Sequence, residues 1–445
     1  MNSAPVTLSP AFSGTTIEPG SADYAGASGS ILVPGSPSSI LRPEGVDDVR
    51  AAVHFAAARE LPLSVRGGGH AFAGFGTNDG GIVIDLCRLD TIEVIDRESH
   101  RVRIGGGATW GQVTDALAPY GLAISSGDTR SVGVGGLTLG GGIGWKVRKH
   151  GLALDSLVRA EIITAAGELV IADADQNPEL FWAIRGGGGN FGVVTAFEFL
   201  AQPTTAVFHG TISFAAEQLA QVLHGWAVAM RTAPEELTSD VEFANPFAGG
   251  PQAPVQVQVV FDGDDPELAD RAIEPLRRLG EPIADTVALK PYAEVLVEGL
   301  TPPPGIRFAA RSGFADGDSV SEILDILIAT GSSQGSPAIS IRSVGGAVSR
   351  VAPEATAYAH RAAEIMFATT LAGPPPVIEQ AQPAFDALWS DLTPHTSGAY
   401  GNFLSGTAAE DVRAIYPERT YQLLLQLKQQ YDPGNLFARN HNIRP

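Results

Sequence analysis

Three glycine-rich segments and one histidine carry the first chemical signal in this chain. The segments run Arg66–His70, Val132–Gly144 and Arg185–Gly192, and each borders a stretch with strand character. Glycine has no Cβ, so backbone built from it can approach a ligand closely. Its bare N–H groups can cradle a pyrophosphate or lie against a flat ring system. One such cluster reads as a tight turn; three along one α/β stretch point to a nucleotide-like cofactor. The common nucleotide signatures do not fit. Gly187, Gly189 and Gly192 spell G-x-G-x-x-G, but after a helix and before a strand, the reverse of the Rossmann order. Gly133 and Gly135 supply only half of that fingerprint, and no G-K-[ST] occurs.

The elements that must position these segments follow from periodicity. Helical spacing with Asp47 and Asp48 near the start predicts a helix over 43–59. Residues 61–66 and 80–86 predict strands, and 91–107 a hairpin turning at Arg97–His100. A helix over 109–121 ends at Gly121. A second hairpin over 158–175 turns at Ala166–Gly167, and 177–201 reads as short helix, Gly-rich turn and strand. Composition changes near Pro203. Beyond it, longer strands (254–263, 338–348) alternate with helices such as 265–280. Residues 373–376, G-P-P-P, predict a loop, and 408–432 a helix broken at Pro417. The expected class is α+β: a cofactor domain over 1–203, an inserted α+β substrate domain with an antiparallel sheet over 204–398, and a segment over 399–445 returning to the first.

Composition narrows the function classes. The chain has 445 residues, 44% apolar and 18% charged, enough for a sizeable core. A net charge of -20 disfavours nucleic acid and anionic membranes as partners. Cys87 is the one cysteine, so an internal disulfide is impossible and no metal site is expected. The N-terminal stretch M-N-S-A-P-V-T-L-S-P-A-F-S-G lacks a basic region and an apolar run, so a cytoplasmic location is the expectation. Oligomeric state cannot be read.

The motifs resemble a known family. V-R-G-G-G-H at Val65–His70, V-G-V-G-G-L-T-L-G-G-G-I-G at Val132–Gly144 and R-K-H-G-L-A-L-D at Arg148–Asp155 arrive in its order. N-P-E-L-F-W-A-I-R-G-G-G-G-N-F-G-V-V-T at Asn177–Thr195 and Y-D-P-G-N-L-F-A-R-N-H-N-I at Tyr431–Ile443 follow. Together they resemble the berberine-bridge-enzyme-like branch of the vanillyl-alcohol-oxidase superfamily. That resemblance implies FAD held by Arg66, Gly67, Gly68, Gly69 and His70, by Val132, Gly133, Gly135, Gly136, Gly140, Gly142 and Gly144, and by Asp155, Gly192, Val194, Asn440 and Asn442. It also implies covalent attachment at His70. Members with a second link carry Cys where Thr129 stands and often His where Leu137 stands. The chain is therefore similar to the branch containing 6-hydroxy-D-nicotine oxidase, with a single histidine link. Val132, small and next to the flavin in relatives, favours molecular oxygen as acceptor.

Hydride transfer from a small alcohol, amine or sugar-like substrate is the implied reaction, with the cofactor carrying the reactivity. The base is less evident. Relatives often carry an Asn-Tyr pair near the C-terminus, and here the pair is Asn402-Phe403, with Tyr400 nearby as the candidate replacement. Arg342 is the other candidate. Strand alternation puts Ser340, Arg342 and Val344 on one face, where Arg342 either clamps a substrate carboxylate or carbonyl, or faces solvent. His360, Arg361 and His441 read as structural or near the flavin. A dehydrogenase with another acceptor, and a flavin carrier without catalysis, are the alternatives.

Overall fold

The computed structural model describes residues 12–204, 206–246, 249–299 and 301–445, so most of the N-terminal stretch read above lies outside the described residues. Strands Thr15–Ile17, Ser39–Arg42, Ile82–Asp85 and Leu63–Arg66 form one small sheet in that order, the last three parallel. Parallel neighbours need a crossover, and the amphipathic helix Val46–Ala57 supplies it, burying Val49, Ala52, Val53 and Ala56. A five-stranded antiparallel sheet follows, ordered Ile92–Asp96, Arg101–Gly105, Val193–Leu200, Leu157–Ile163 and Leu169–Asp173. Both hairpins expected from the sequence lie in it. The helix Trp110–Leu117 is entered by a capping box between Thr109 and Gln112, and Gly121 beyond it takes the left-handed conformation that glycine adopts without strain.

A large antiparallel sheet fills the middle of the chain. Its order is Pro282–Asp285, Ala206–Phe214, Val255–Phe261, Leu237–Phe243, Ala338–Ser343, Ile365–Gly373 and Arg307–Ala315, with Ala288–Pro291 also pairing with Ala206–Phe214. One face packs on the helices Leu219–Thr232, Pro266–Arg277, Ser319–Gly331 and Pro375–Leu392. There Val241, Val257, Ile341 and Phe367 meet Trp226, Ile273, Leu327 and Trp389. The other face is polar and turns toward the glycine-rich segments. One expectation needs correction. The G-P-P-P stretch is not an extended loop: the strand runs to Gly373 and the helix begins at Pro375, where the missing N–H costs nothing. The Val132–Gly144 stretch contains a short helix, Val134–Gly140, despite its glycines.

Two buried ion pairs tie distant segments together. Lys146 Nζ donates to Asp262 Oδ1 at 2.7 Å, and His150 Nε2 lies 2.9 Å from Asp262 Oδ2. This joins the end of the glycine stretch to the large sheet, since Asp262 follows the strand Val255–Phe261. Against the cost of burial, His150 and Lys146 hold the Asp262 carboxyl well below its usual range. At the C-terminus, Lys428 Nζ donates to Asp432 Oδ2 (2.7 Å), Asn190 O (2.8 Å) and Phe437 O (3.0 Å), and both side chains are fully buried. The backbone N–H groups of Leu436 and Phe437 complete the Asp432 carboxylate. Among the described residues no helix is long and apolar enough to cross a membrane.

Replacing Lys428 by Met leaves the buried Asp432 charge without its cation. The expected loss is about 3–5 kcal/mol of unfolding free energy. Urea unfolding at neutral pH, followed by tryptophan fluorescence, checks it; a loss below 1 kcal/mol, on the order of a surface pair, refutes the assignment.

Candidate functional site

A large cavity of about 890 Å³ runs between the glycine-rich segments and the polar face of the large sheet. Ligand pockets span about 300–1,000 Å³, so this one is at the roomy end. Its floor depends on two chains of backbone crossing at contact distance. A Cβ on Gly68 would lie 2.2 Å from Gly133 N, and one on Gly133 would lie 2.2 Å from Gly68 N. Gly136 and Gly189 line the same cavity, and a Cβ on either would enter open space, the room a bound group would fill. Two buried polar atoms in the cavity-lining tail are also left over: Asn440 Oδ1 and His441 Nδ1 have no partner among the described residues. A cradle that added methyl groups would occupy, next to unsatisfied buried polar atoms, fits a polar, elongated cofactor such as FAD.

Most residues singled out from the sequence meet here. Arg66, Gly67, Gly68, Gly69, His70, Val132, Gly133, Gly135, Gly136, Gly140, Gly192, Val194 and Asn440 all line the cavity. His70 Nε2 lies 2.9 Å from Ser131 Oγ, and burial lowers the ring's pKa, keeping it neutral. Arg66 contributes backbone and stem only. Its guanidinium turns away to Asp85 (2.9 Å) and to the carbonyls of Ala27 and Gly29 (2.8 Å each), pinning the N-terminal segment.

Four of the expected cofactor residues are not in the wall. Gly142 is packed so that a Cβ would lie 2.3 Å from Ala153 Cβ, and at Gly144 it would lie 1.2 Å from Ser126 O. Both glycines serve chain packing. Asp155 receives both arms of Arg361 at 2.8 Å and caps Leu152 N–H, so it braces the fold. Asn442 sits behind the tail rather than in the cavity wall.

Tyr400, Asn402 and Arg342 do reach the cavity. The Tyr400 hydroxyl oxygen accepts N–H groups from Gly142 (2.9 Å), Ile143 (3.3 Å) and the Asn402 amide (2.9 Å). Burial raises its pKa. An oxygen so engaged is a clamp on the glycine loop, not a free base. Phe403 stacks on the Tyr400 ring and lies under the Arg342 guanidinium, 5.2 Å from ring centroid to Cζ. Arg342 is neither solvated nor free. Its Nη2 binds Asp128 Oδ2 at 2.6 Å and its Nη1 lies 3.5 Å from Asp240 Oδ2. Val344, expected on the same face, lies past the strand end in a separate apolar cluster.

The sequence reading missed the rest of this wall. Thr211, Gln258, Asp240 and Arg342 form one row across four strands, each paired with the next in register. Glu242 and Ser340 form the row beside it. All six line the cavity, as does His209. The available signal was S-D-V-E-F at Ser239–Phe243, polar and apolar residues alternating on a strand. Burial, partly offset by Arg342, raises the Asp240 carboxyl to about 7, and burial raises Glu242 as well. Burial lowers His209 to about 4, so its ring is neutral near pH 7.

Comparison with known proteins agrees with this geometry. Residues 37–173 match a family described as FAD binding domain, and 399–444 one described as berberine and berberine like. The chain is 33% identical over 427 residues to (R)-6-hydroxynicotine oxidase of Paenarthrobacter nicotinovorans, covering 92% of this chain and 91% of that protein. It is 30% identical over 461 residues to a xylooligosaccharide oxidase of Thermothelomyces thermophilus, covering 93% and 88%. The crystal structure of 6-hydroxy-D-nicotine oxidase from Arthrobacter nicotinovorans superposes over the full length of both chains with a TM-score of 0.87 at 29% identity.

Two predictions follow from the cradle and the sheet. Gly136→Val should fold normally yet carry less than about a tenth of the parent's flavin, because its side chain fills ligand space; Gly133→Ala should instead lower the melting temperature, because it meets backbone. Flavin absorbance per protein and thermal scans separate the two. For Asp240, a folded-state pKa of about 7 against the ordinary 3.8 means the folded protein holds this proton more tightly. That stabilisation is complete below about pH 4 and is lost as pH rises through about 7. The melting temperature of Asp240→Asn relative to the parent should therefore climb from about pH 4 to about pH 8. A flat difference refutes the raised carboxyl.

Proposed function

The chain belongs to the berberine-bridge-enzyme-like family of FAD-linked oxidoreductases, and from that premise we propose that it is an oxidase holding FAD covalently through His70 alone. The observation that carries this reading is the state of His70. Its ring lies in the cavity wall, with Nε2 2.9 Å from Ser131 Oγ, and burial favours its neutral form against the hydrogen bonding of Ser131. A neutral imidazole is the form that can bond to a flavin methyl carbon. A second link has no group to make it. Thr129 lines the cavity with its hydroxyl given to Asp128, and Cys87 is exposed and outside the wall.

Held by Gly67, Gly68, Gly133, Gly135 and Gly136 beside His70, FAD would supply hydride-accepting redox chemistry toward a C–H beside an O–H or N–H, with oxygen as the final acceptor. The chain's own residues bind and orient. The glycine cradle admits a flat ring against backbone, and the Tyr400–Asn402 clamp holds the Gly142–Ile143 loop. The polar sheet face presents Asp240, Glu242, Gln258 and Arg342 to the substrate. Similar proteins are named for oxidising a nicotine derivative and oligosaccharides, which supports a small amine, alcohol or sugar-like substrate. Val132 in the wall, small as in oxygen-reacting relatives, supports oxygen as acceptor.

Acid-denatured protein run on a denaturing gel should show a flavin-fluorescent band that His70→Ala abolishes, while Thr129→Ala leaves it intact. Fluorescence surviving in His70→Ala refutes the single link. Reduced holoenzyme mixed with air should release about one peroxide per flavin; reoxidation only by a quinone or dye would make it a dehydrogenase.

A further inference from the structure

The charge inventory on the substrate side of the cavity does not balance. Asp128, Asp240 and Glu242 stand around the Arg342 guanidinium; of the other charged residues in the wall, Glu298 is exposed and pairs with Arg130, and the Arg66 and Arg439 guanidiniums are bound to Asp85 and to the Thr77 carbonyl. Asp128 takes the short contact to that guanidinium at 2.6 Å. Asp240 is 6% exposed, and its carboxylate accepts no hydrogen bond among the described residues; its one ion-pair contact is the longer 3.5 Å approach to Arg342 Nη1. Glu242 has no ion-pair partner within the same set, only the Gln258 amide beside it. His209, the nearest further candidate for a positive charge, is neutral. Asp240 and Glu242 stand two residues apart on one strand, so both point to the same side.

A buried carboxylate without a partner is costly, and proteins place a cation against it or protonate it. The residues around this pair offer no second cation. The wall also carries a cluster of phenylalanines. Phe72 lies 6.3 Å from Phe308 and 5.9 Å from Phe403, centroid to centroid, and all three line the cavity. Arg342 already occupies the face of Phe403, which leaves Phe72 and Phe308 for a ligand. Carboxylates next to aromatic rings favour an organic cation through charge-assisted hydrogen bonds and cation–π contact.

We propose that the substrate half of the cavity selects an organic ammonium: the positively charged nitrogen is received by Asp240 and Glu242, and its apolar part rests on Phe72 and Phe308. This deepens the oxidase reading and rests on it, naming an amine as the substrate rather than a sugar or an acid. A carboxylate substrate meets the Asp240–Glu242 pair, which offers it no positive charge, and finds Arg342 already held by Asp128. A neutral sugar leaves the carboxylate pair unbalanced.

The test uses purified holoenzyme at neutral pH and three probes of one ring size: N-methylbenzylammonium, benzyl alcohol and benzoate. Calorimetric titration reads binding without relying on a flavin signal. The ammonium should bind at least about tenfold more tightly than benzyl alcohol, with benzoate weakest. Glu242→Gln and Asp240→Asn should each weaken the ammonium by about tenfold, and the double variant should erase the preference, with circular dichroism confirming that the isosteric variants are folded. Tightest binding of benzoate or benzyl alcohol, no binding of the ammonium, or undiminished ammonium binding in the double variant overturns the proposal. The oxidase reading fails separately: it falls if the protein carries no flavin or does not reoxidise in air. A protein that keeps its flavin and reoxidises but shows no ammonium preference loses only the inference drawn here.

Discussion

The constraint on which the cavity floor depends is the crossing of two peptide segments at Gly68 and Gly133. Each Cα sits where a methyl group would overlap the other's backbone nitrogen. Because neither carries one, the strand Leu63–Arg66 and the turn before the helix Val134–Gly140 can touch, and their outer sides become a continuous backbone surface. The cavity lies against that surface. His70 reaches it because it follows directly from this crossing, and Ser131 reaches His70 because it precedes it. A larger residue at either position would push the segments apart and open the floor.

The second organising feature is how charge is used away from water. Lys146 with Asp262, and Lys428 with Asp432, are fully satisfied: every buried charge has its counterion and further hydrogen bonds. Such pairs contribute registration more than net stability, because desolvation offsets much of the attraction. They hold the large sheet against the glycine segments and the tail against Asn190. Arg342, Asp128 and Asp240 are arranged differently. There the guanidinium is shared unevenly, Arg342 Nε is left without a partner, and Glu242 stands outside the pair. In one molecule, the structural ion pairs close and the cavity cluster stays open.

Much of the cofactor side was legible from the chain alone, because it is written in local patterns. Gly67–Gly69, Gly133, Gly135 and Gly136 are backbone requirements, and the residue type that meets them is visible wherever it occurs. The hairpins over 92–105 and 157–173 and the break at Pro417 likewise follow from alternation, turn residues and proline. Other placements have physical reasons that the chain alone does not show. Gly142, Gly144 and Asp155 belong to the same motifs, yet they serve packing against Ala153, Ser126 and Arg361, residues that a motif string does not reveal as neighbours. The prolines after Gly373 read as a loop because proline breaks helices, but the first turn of a helix accepts it.

The substrate side shows what only the tertiary structure decides. By itself the sequence determined a class of fold and an FAD-linked family, since each rests on motifs of residues close together in the chain. It did not determine that Asp128 would meet Arg342, 214 positions later, or that Asp240 and Gln258 would stand beside them. Strand order and register set those meetings, and a register shift of one residue would turn Asp240, Glu242 and Arg342 to the helix-covered face. Arg342 was readable as a charged residue on an alternating strand. Whether it faced solvent, a substrate or two carboxylates depended on which strands the long-range pairing placed at its sides, because the free energy of a buried charge is set by its neighbours in space.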